Sequence, residues 1–527
     1  MGSDIRGGKR IFKEKRHTPD KFQGDSMNER TYAYLTYITI AAFFIFRVMY
    51  IATTNYNLAP DEAYFWDWSR HPALSYYDMG PMVAWIIRFF TRILPVSEFS
   101  VRLGAPVLAA MTAVVLYRLA AEITLSSMLG FIVVLLFHLT PIGMTGGIIM
   151  TYYSPQVFFM SLTAFSLWRL IREEKPWWWY LIGLSLGLGV LSHHMFIIFT
   201  AEVFLFILLS SGQRKWLRCK EPYLALCIEF LAASPVFLWN LTHNLVMFRH
   251  AAGLMTGAHS FTITLLEYLG GQAGVLTPLL FLAVVYGVGV SGYRGIRLHD
   301  DKHLFLFSLS APIMLFIAFL SIGGRTEANW PASGYIAGIV SAVYVVAEKY
   351  KHGSSIRRFL IAVSFAVTVA LGLFISAIAH YPALLDKIGI NLPPDKDPAG
   401  RLYGWKDLGN EVSDVLSTMS SGSFVAARDY GLAAELAFYV KDRPEVYEIP
   451  AQRRRSQYDF WNDFYAVKGK DAVFVDAGPM SKEAEALFSR VEPAGRLLIR
   501  SKNGIRWEFY LYKCYGYKGI AADIETF

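Results

Sequence analysis

The feature that most constrains this chain is a series of apolar runs, each about 20 residues long, the length a helix needs to cross a bilayer. They lie near 34–53, 102–121, 127–144, 155–172, 177–192, 195–211, 223–239, 274–292, 304–322, 331–347 and 359–380. Hydrocarbon offers no water to backbone N–H and C=O groups, so each run must satisfy its own hydrogen bonds as a helix. The chain therefore reads as a polytopic α-helical membrane protein with about 11 transmembrane helices. Only 17% of its 527 residues are charged and 54% are hydrophobic, whereas soluble domains carry about 25% charged residues.

Charge orients the runs. One set of alternate connections is basic, with Lys9, Arg10 and Lys13, then Arg169, Arg172 and Lys175, then Arg214, Lys215 and Arg218, then Arg294 and Arg297, then Lys349, Lys351, Arg357 and Arg358. The other set holds few cations. The positive-inside rule then makes the N-terminal tail, residues 1–33, cytoplasmic. The formal net charge of +8 is explained by these loops and calls for no nucleic-acid partner. No cleavable signal is visible, so the first run serves as an uncleaved signal, and Met27 is an alternative start. Cys219, Cys227 and Cys514 are too scattered for a disulfide framework or a thiolate zinc site.

Residues 34–380 form the membrane region, with a long first external loop at 54–101. Within that loop, Pro81 to Arg92 is apolar but too short and too basic to cross, and reads as a helix lying in the interface. Residues 381–527 have ordinary polarity and read as a small α/β domain on the external side. Phe424–Ala427 and Ala472–Val475 look like buried strands, 431–440 like a helix, and Lys502-Asn503-Gly504 like a hairpin turn between 497–500 and 507–512.

Asp61 and Glu62 follow the first run and open the aromatic stretch Asp61-Glu62-Ala63-Tyr64-Phe65-Trp66. Surface anchors are usually Trp, Tyr, Lys or Arg, so an acidic pair anchors poorly. It suits a base that meets a lipid-borne substrate. The plainer reading is a helix start after Pro60, where Asp and Glu are favoured, and the two readings coexist. Glycosyl transfer from a lipid phosphate needs a base for the acceptor hydroxyl and no strong acid, so one carboxylate suffices.

The same loop carries Tyr76-Tyr77-Asp78-Met79-Gly80-Pro81. Its hydroxyls suit a phosphate, and Asp78 is the candidate ligand for a divalent metal, should one be used; the alternative is an interfacial turn. His193 and His194 end a span on the external side. They serve packing or phosphate and acceptor contact, and adjacent helical residues point apart, so no shared metal is implied. Arg325 opens Arg325-Thr326-Glu327-Ala328-Asn329-Trp330-Pro331. It is a natural phosphate clamp, with an ion pair to Glu327 or lipid headgroups as the alternative.

Gly287-x-Gly289-x-x-Gly292 ends a membrane run with no preceding strand, so it reads as close helix packing rather than a dinucleotide loop. Asp395-Lys396-Asp397 sits among prolines and reads as a loop. A nucleotide-sugar donor is accordingly disfavoured.

Taken together, these segments resemble the bacterial relatives of protein O-mannosyltransferases, the group that includes the lipid A aminoarabinose transferase. The resemblance runs through Asp61-Glu62-Ala63-Tyr64-Phe65-Trp66 to Ser75-Tyr76-Tyr77-Asp78, then Trp239-Asn240 with His243, Asn329-Trp330-Pro331-Ala332, Gly404-Trp405 and Ser456-Gln457-Tyr458-Asp459-Phe460-Trp461. It implies a GT-C fold, an external active site, a polyprenyl-phosphate sugar donor and inversion at the anomeric carbon. It maps the catalytic aspartate onto Asp61. Relatives often carry an acid where this chain has Tyr153, a lysine where it has His193, and His-Pro or Lys-Pro where it has Met79-Gly80, which points to a different sugar or acceptor.

The resulting expectation is an integral glycosyltransferase of a bacterial inner membrane, with the C-terminal domain periplasmic. It moves a sugar from a polyprenyl-phosphate donor to a lipid, lipopolysaccharide, glycan or protein acceptor. Asp61 is the base. Arg325, Tyr76, Tyr77, Asp78, His193, His194, Asn329, Trp330 and Glu62 form the substrate-binding set. The rivals are a flippase for a lipid-linked sugar and an inactive relative that binds lipid glycans.

Overall fold

The computed structural model describes residues 26–254, 261–323, 326–387, 389–390, 392–397, 399–449, 454–501 and 504–519. The basic tail before Ser26, Arg325, and Lys502 and Asn503 of the expected turn lie outside them.

Every expected apolar run is helical. The first is α1 (Ser26–Thr53), and the others fall at Gly104–Thr124, Ser127–Leu139, Tyr153–Glu173, Trp178–Ser192, Ile197–Leu209, Glu221–Thr242, Pro278–Arg297, Ala311–Gly323, Tyr335–Lys351 and Ser355–His380. Among the described residues, seven spans are long and apolar enough to cross a membrane by length and composition. Ser127–Leu139, Trp178–Ser192 and His194–Leu209 are shorter apolar helices. Sequence reading missed a further helix at Phe261–Leu276, where β-branched residues and the Gly270-Gly271 pair weaken helix propensity. The Gly287 motif is indeed packing: a Cβ there would lie 2.7 Å from the Ala342 backbone on the neighbouring helix.

The first loop is mostly helical. α2 (Pro60–Arg70) and α3 (Met82–Ile93) follow α1. α3 buries Val83, Ala84 and Ile87 and exposes Phe89 and Ile93, the two-faced pattern expected of an interfacial helix.

The C-terminal region is a five-stranded sheet with helices Trp405–Ser417 and Tyr430–Tyr439. Its strands are β1 (Phe424–Ala427), β2 (Val446–Glu448), β3 (Ala472–Asp476), β4 (Phe488–Ser501) and β5 (Gly504–Tyr517), in the order β2-β1-β3-β5-β4. β1 is parallel to β2 and β3, and β5 is antiparallel to β3 and β4. β1 and β3 are buried throughout, as continuous apolar parallel strands should be. The expected strands and hairpin are present, though β4 and β5 run well past 497–500 and 507–512.

One hydrophobic core joins the first loop to this domain. Trp66, Trp68, Tyr76 and Val83 share it with Trp405, Leu432, Phe438, Val473 and Phe509. Trp66 meets Phe438 edge-on at 4.8 Å. Burying a large apolar side chain is worth roughly 1.5–3 kcal/mol, so several such rings hold loop and domain together. Polar pairs fix their register: Leu58 N–H donates to the Tyr439 hydroxyl at 2.8 Å, and the Tyr458 hydroxyl donates to Asp67 at 2.6 Å. The loop is thereby locked between the helical bundle and the domain.

Candidate active site

The direction of α2 is set by Glu62. Its carboxylate accepts from the Ala59 backbone at 3.0 Å and the Met150 backbone at 3.1 Å, and pairs with Arg102 at 2.8 Å. Arg102 also donates to the Asn57 and Tyr56 carbonyls, at 2.6 and 3.1 Å. Glu62 and Arg102 are both buried. The expectation that Glu62 touches substrate is therefore corrected: its oxygens are taken up anchoring the helix start. The next residue back, Asp61, sits about 100° round the helix and is partly exposed. Its Oδ1 accepts from the Tyr430 hydroxyl at 3.2 Å, across the boundary with the C-terminal domain.

Tyr64, one turn along α2, donates to Asp78 at 3.2 Å and accepts from the Gln457 backbone at 2.7 Å. Asp78 is further ion-paired with Arg454, and His250 Nε2 lies 3.5 Å away. Burial lifts the Asp78 carboxyl to about 6, with Arg454 opposing the rise. Burial, reinforced by the Arg454 charge, pushes His250 down to about 4. Arg454 also lies over the Tyr430 ring, 5.2 Å from its centroid. Tyr77 joins through its backbone N–H, which donates to Gln457 at 2.7 Å, and its hydroxyl lies 3.5 Å from His250. Among the described residues no group of three or more His, Cys, Asp or Glu could hold a metal ion. Asp78 meets a guanidinium, a phenol and one imidazole.

Tyr76 is a second correction. It is fully buried and stacks on Trp68 at 4.3 Å. Its hydroxyl lies 2.9 Å from both the Trp68 and His71 carbonyls and accepts from the Ala73 backbone at 3.2 Å. It satisfies the free carbonyls at the end of α2 and has no face left for a phosphate.

The bundle supplies the opposite wall. Asn329 donates to the Tyr152 hydroxyl at 3.1 Å, and the Tyr152 ring lies 4.7 Å from His193. His193, Asn329 and Trp330 line one pocket with Tyr152. His193 and His194 stack at 4.4 Å rather than pointing apart, because the helix ends at Ser192 and the chain turns. Gly80 lets the first loop approach this wall, since a Cβ there would lie 2.1 Å from the Leu191 carbonyl. The Asp61 charge adds to burial in raising Tyr152, Tyr430 and Asp78. Tyr153 points away, packed where a Gly146 side chain would be.

Sequence reasoning missed Tyr430 and Arg454. The run Arg453-Arg454-Arg455 just before Ser456 was the available signal for the second. Tyr430 carried none. Trp239, His243 and Phe460 also come together, with Phe460 5.8 and 5.6 Å from the other two rings, so separate segments of the sequence resemblance meet beside the site.

The arrangement offers a partly exposed carboxylate, a second carboxyl lifted by burial to about 6, a cation and several hydroxyls. Residues 71–239 match the family described as dolichyl-phosphate-mannose-protein mannosyltransferase. The chain is 24% identical over 435 residues to lipid A galacturonosyltransferase RgtD of Rhizobium johnstonii, covering 80% of this chain and 86% of that protein. ArnT from Cupriavidus metallidurans in the apo state has a similar fold, with a TM-score of 0.59 at 13% identity, over 92% of this chain and 98% of that one. ArnT bound to undecaprenyl phosphate gives 0.57 at 13% identity, over 91% and 98%.

Proposed function

We propose that the chain is a GT-C glycosyltransferase of the aminoarabinose-transferase-like group, the reading its family match, relative and fold neighbour support, and that it transfers a sugar from a polyprenyl phosphate to a lipid or lipid-linked glycan, with Asp61 as the base. The observation that carries this reading is the partly exposed Asp61 carboxylate held by the Tyr430 hydroxyl at 3.2 Å, beside the Asp78–Arg454 ion pair of the loop and C-terminal domain.

The acceptor hydroxyl gives its proton to Asp61 as its oxygen attacks the anomeric carbon. The bond to the polyprenyl phosphate breaks on the opposite face, so the configuration inverts. The released phosphate carries the departing electron pair. Tyr430 holds the Asp61 carboxylate toward the opening, a positioning role. Tyr152, His193, His194, Asn329 and Trp330 border the side from which a membrane-borne donor arrives, and Arg325 is assigned to its phosphate. Arg454 and Tyr77 border the water side, where the acceptor enters. Asp78, kept beside Asp61, supplies the second acid that Tyr153 does not.

Geometry agrees with a periplasmic site in a bacterial inner membrane. Helix Tyr153–Glu173 starts at the site and ends near Arg169 and Arg172, and helix Tyr335–Lys351 starts after Trp330 and ends at Lys349 and Lys351. The basic connections therefore lie at the far end of the bundle, the end that charge assigns to the cytoplasm.

The test is sugar transfer in proteoliposomes with polyprenyl-phosphate-linked uronic acid, pentose or hexose as donor and lipid A as acceptor. Asp61→Asn should bind donor normally and transfer about 10²–10⁴-fold more slowly. Full transfer by this variant would remove Asp61 from the chemistry. Passage of intact donor across the bilayer without bond cleavage would favour a flippase.

A further inference from the structure

Far from the site, helices Ser127–Leu139, Pro278–Arg297, Tyr335–Lys351 and Ser355–His380 border a groove of about 900 Å³. Its walls are apolar, with Leu129, Ile132, Leu136, Val343 and Phe365 among them, and Lys351, Arg357 and Arg358 also line it. Arg357 and Arg358 are exposed, and no carboxylate among the described residues pairs with either.

The cations lie at the end of the bundle remote from Asp61. Helix Ser355–His380 has 26 residues, about 39 Å at 1.5 Å per residue. Its other end meets α1 near the first loop, where the Tyr50 hydroxyl donates to the His380 carbonyl at 3.0 Å. Its buried residues are Thr368, Gly372, Ser376 and His380, one face of the second half only. Among the described residues, the first half buries none of its side chains fully, and that half borders the groove. From Arg357 to Thr368 the groove follows about 16 Å of helix, roughly half of the ~30 Å hydrocarbon core. That is the reach of the acyl chains of one leaflet.

We propose that this groove holds an acidic diacyl phospholipid of the leaflet opposite the active site. The chains lie along the apolar walls and complete the packing of the first half of helix Ser355–His380. The phosphate meets Arg357, Arg358 and Lys351, where guanidinium groups form paired, charge-assisted hydrogen bonds. The sugar donor does not fit this placement, because its phosphate must reach Asp61 at the other membrane face. The lipid is a resident of the protein, neither donor nor acceptor.

Native mass spectrometry of the full chain, equilibrated with equal amounts of phosphatidylglycerol and phosphatidylcholine, tests this. Phosphatidylglycerol should be retained at least about fivefold over phosphatidylcholine. R357Q/R358Q should lower that preference to within about twofold while sugar transfer, which reports folding, persists. A362W, which fills the groove without changing charge, should reduce retention of both lipids. Equal retention of the two lipids by the parent protein, or an unchanged preference in R357Q/R358Q, overturns the proposal. So does displacement of phosphatidylglycerol by an equal amount of polyprenyl phosphate, which would give the groove to the donor.

Discussion

The bundle side of the site presents Tyr152, His193, His194, Asn329 and Trp330, whereas the loop-and-domain side presents Asp61, Asp78, Tyr430 and Arg454. The first wall is made mainly of rings and neutral hydrogen-bonding groups, with Glu202 in the same pocket. The second concentrates charge, and Arg454 there is half-exposed. Moving an unpaired charge out of water is expensive. Charges accordingly gather where the C-terminal domain keeps them near solvent and supplies counter-charges. The contrast teaches that the helical bundle contributes mostly rings and hydrogen-bonding groups, while the loop and C-terminal domain carry most of the charge.

Asp61→Asn tests the charged wall most severely, with the 10²–10⁴-fold fall in transfer given above. A comparable fall from Asn329→Ala would erase the distinction between the walls. Next comes the anchor beneath Asp61. Glu62→Gln leaves Arg102 buried without its counter-ion, and loss of one partner of a buried pair typically destabilises by about 3–5 kcal/mol. Chemical unfolding in detergent should show a loss of that size, and a variant as stable as the parent would mean that α2 is held by other contacts. Arg454→Gln removes a charged hydrogen-bond donor, worth about 1.5–3 kcal/mol, so kcat/KM should fall roughly 10- to 100-fold. Arg454→Lys should recover part of it. Unchanged kinetics would reduce the domain to a support. Asn329→Ala removes a neutral hydrogen bond to Tyr152 and should slow transfer about fivefold.

The smallest effect separates the two carboxyls by pH. Asp78 titrates at about 6 rather than 3.8, so the folded protein keeps a proton that the unfolded chain loses earlier. Its contribution to stability is full below 3.8 and is lost as pH rises through about 6. Asp78→Asn should flatten the pH dependence of unfolding across this interval and remove an inflection near pH 6 from the transfer rate. An inflection that persists belongs to another group.

Much of the layout was legible in residue order because its causes are local. Apolar run length specified the helices, continuous apolar tetrads specified β1 and β3, and Pro60 with two acids marked the start of α2. The Asn503-Gly504 turn announced the hairpin. The misreadings share one cause. Tyr76 and Glu62 have the chemistry of ligands, and only packing shows that a ring stacked on Trp68 and a carboxylate held by Arg102 have nothing left to offer. His193 and His194 were read with helical geometry that the chain abandons at Ser192.

By itself, the sequence determined a helical membrane protein, a small C-terminal α/β domain, and an acid just beyond the first span. Those follow from hydrophobic length, period and helix-start chemistry, all read within a few residues. Only the tertiary structure decided that Asp61 stays partly exposed beside Tyr430 while Glu62 is sealed against Arg102. It alone brought Tyr430 and Arg454 to the site from more than 360 residues away along the chain. The reason is that burial and counter-charge are properties of neighbours in space. Two carboxylates side by side become one that is partly exposed and one that is an anchor according to what packs against each.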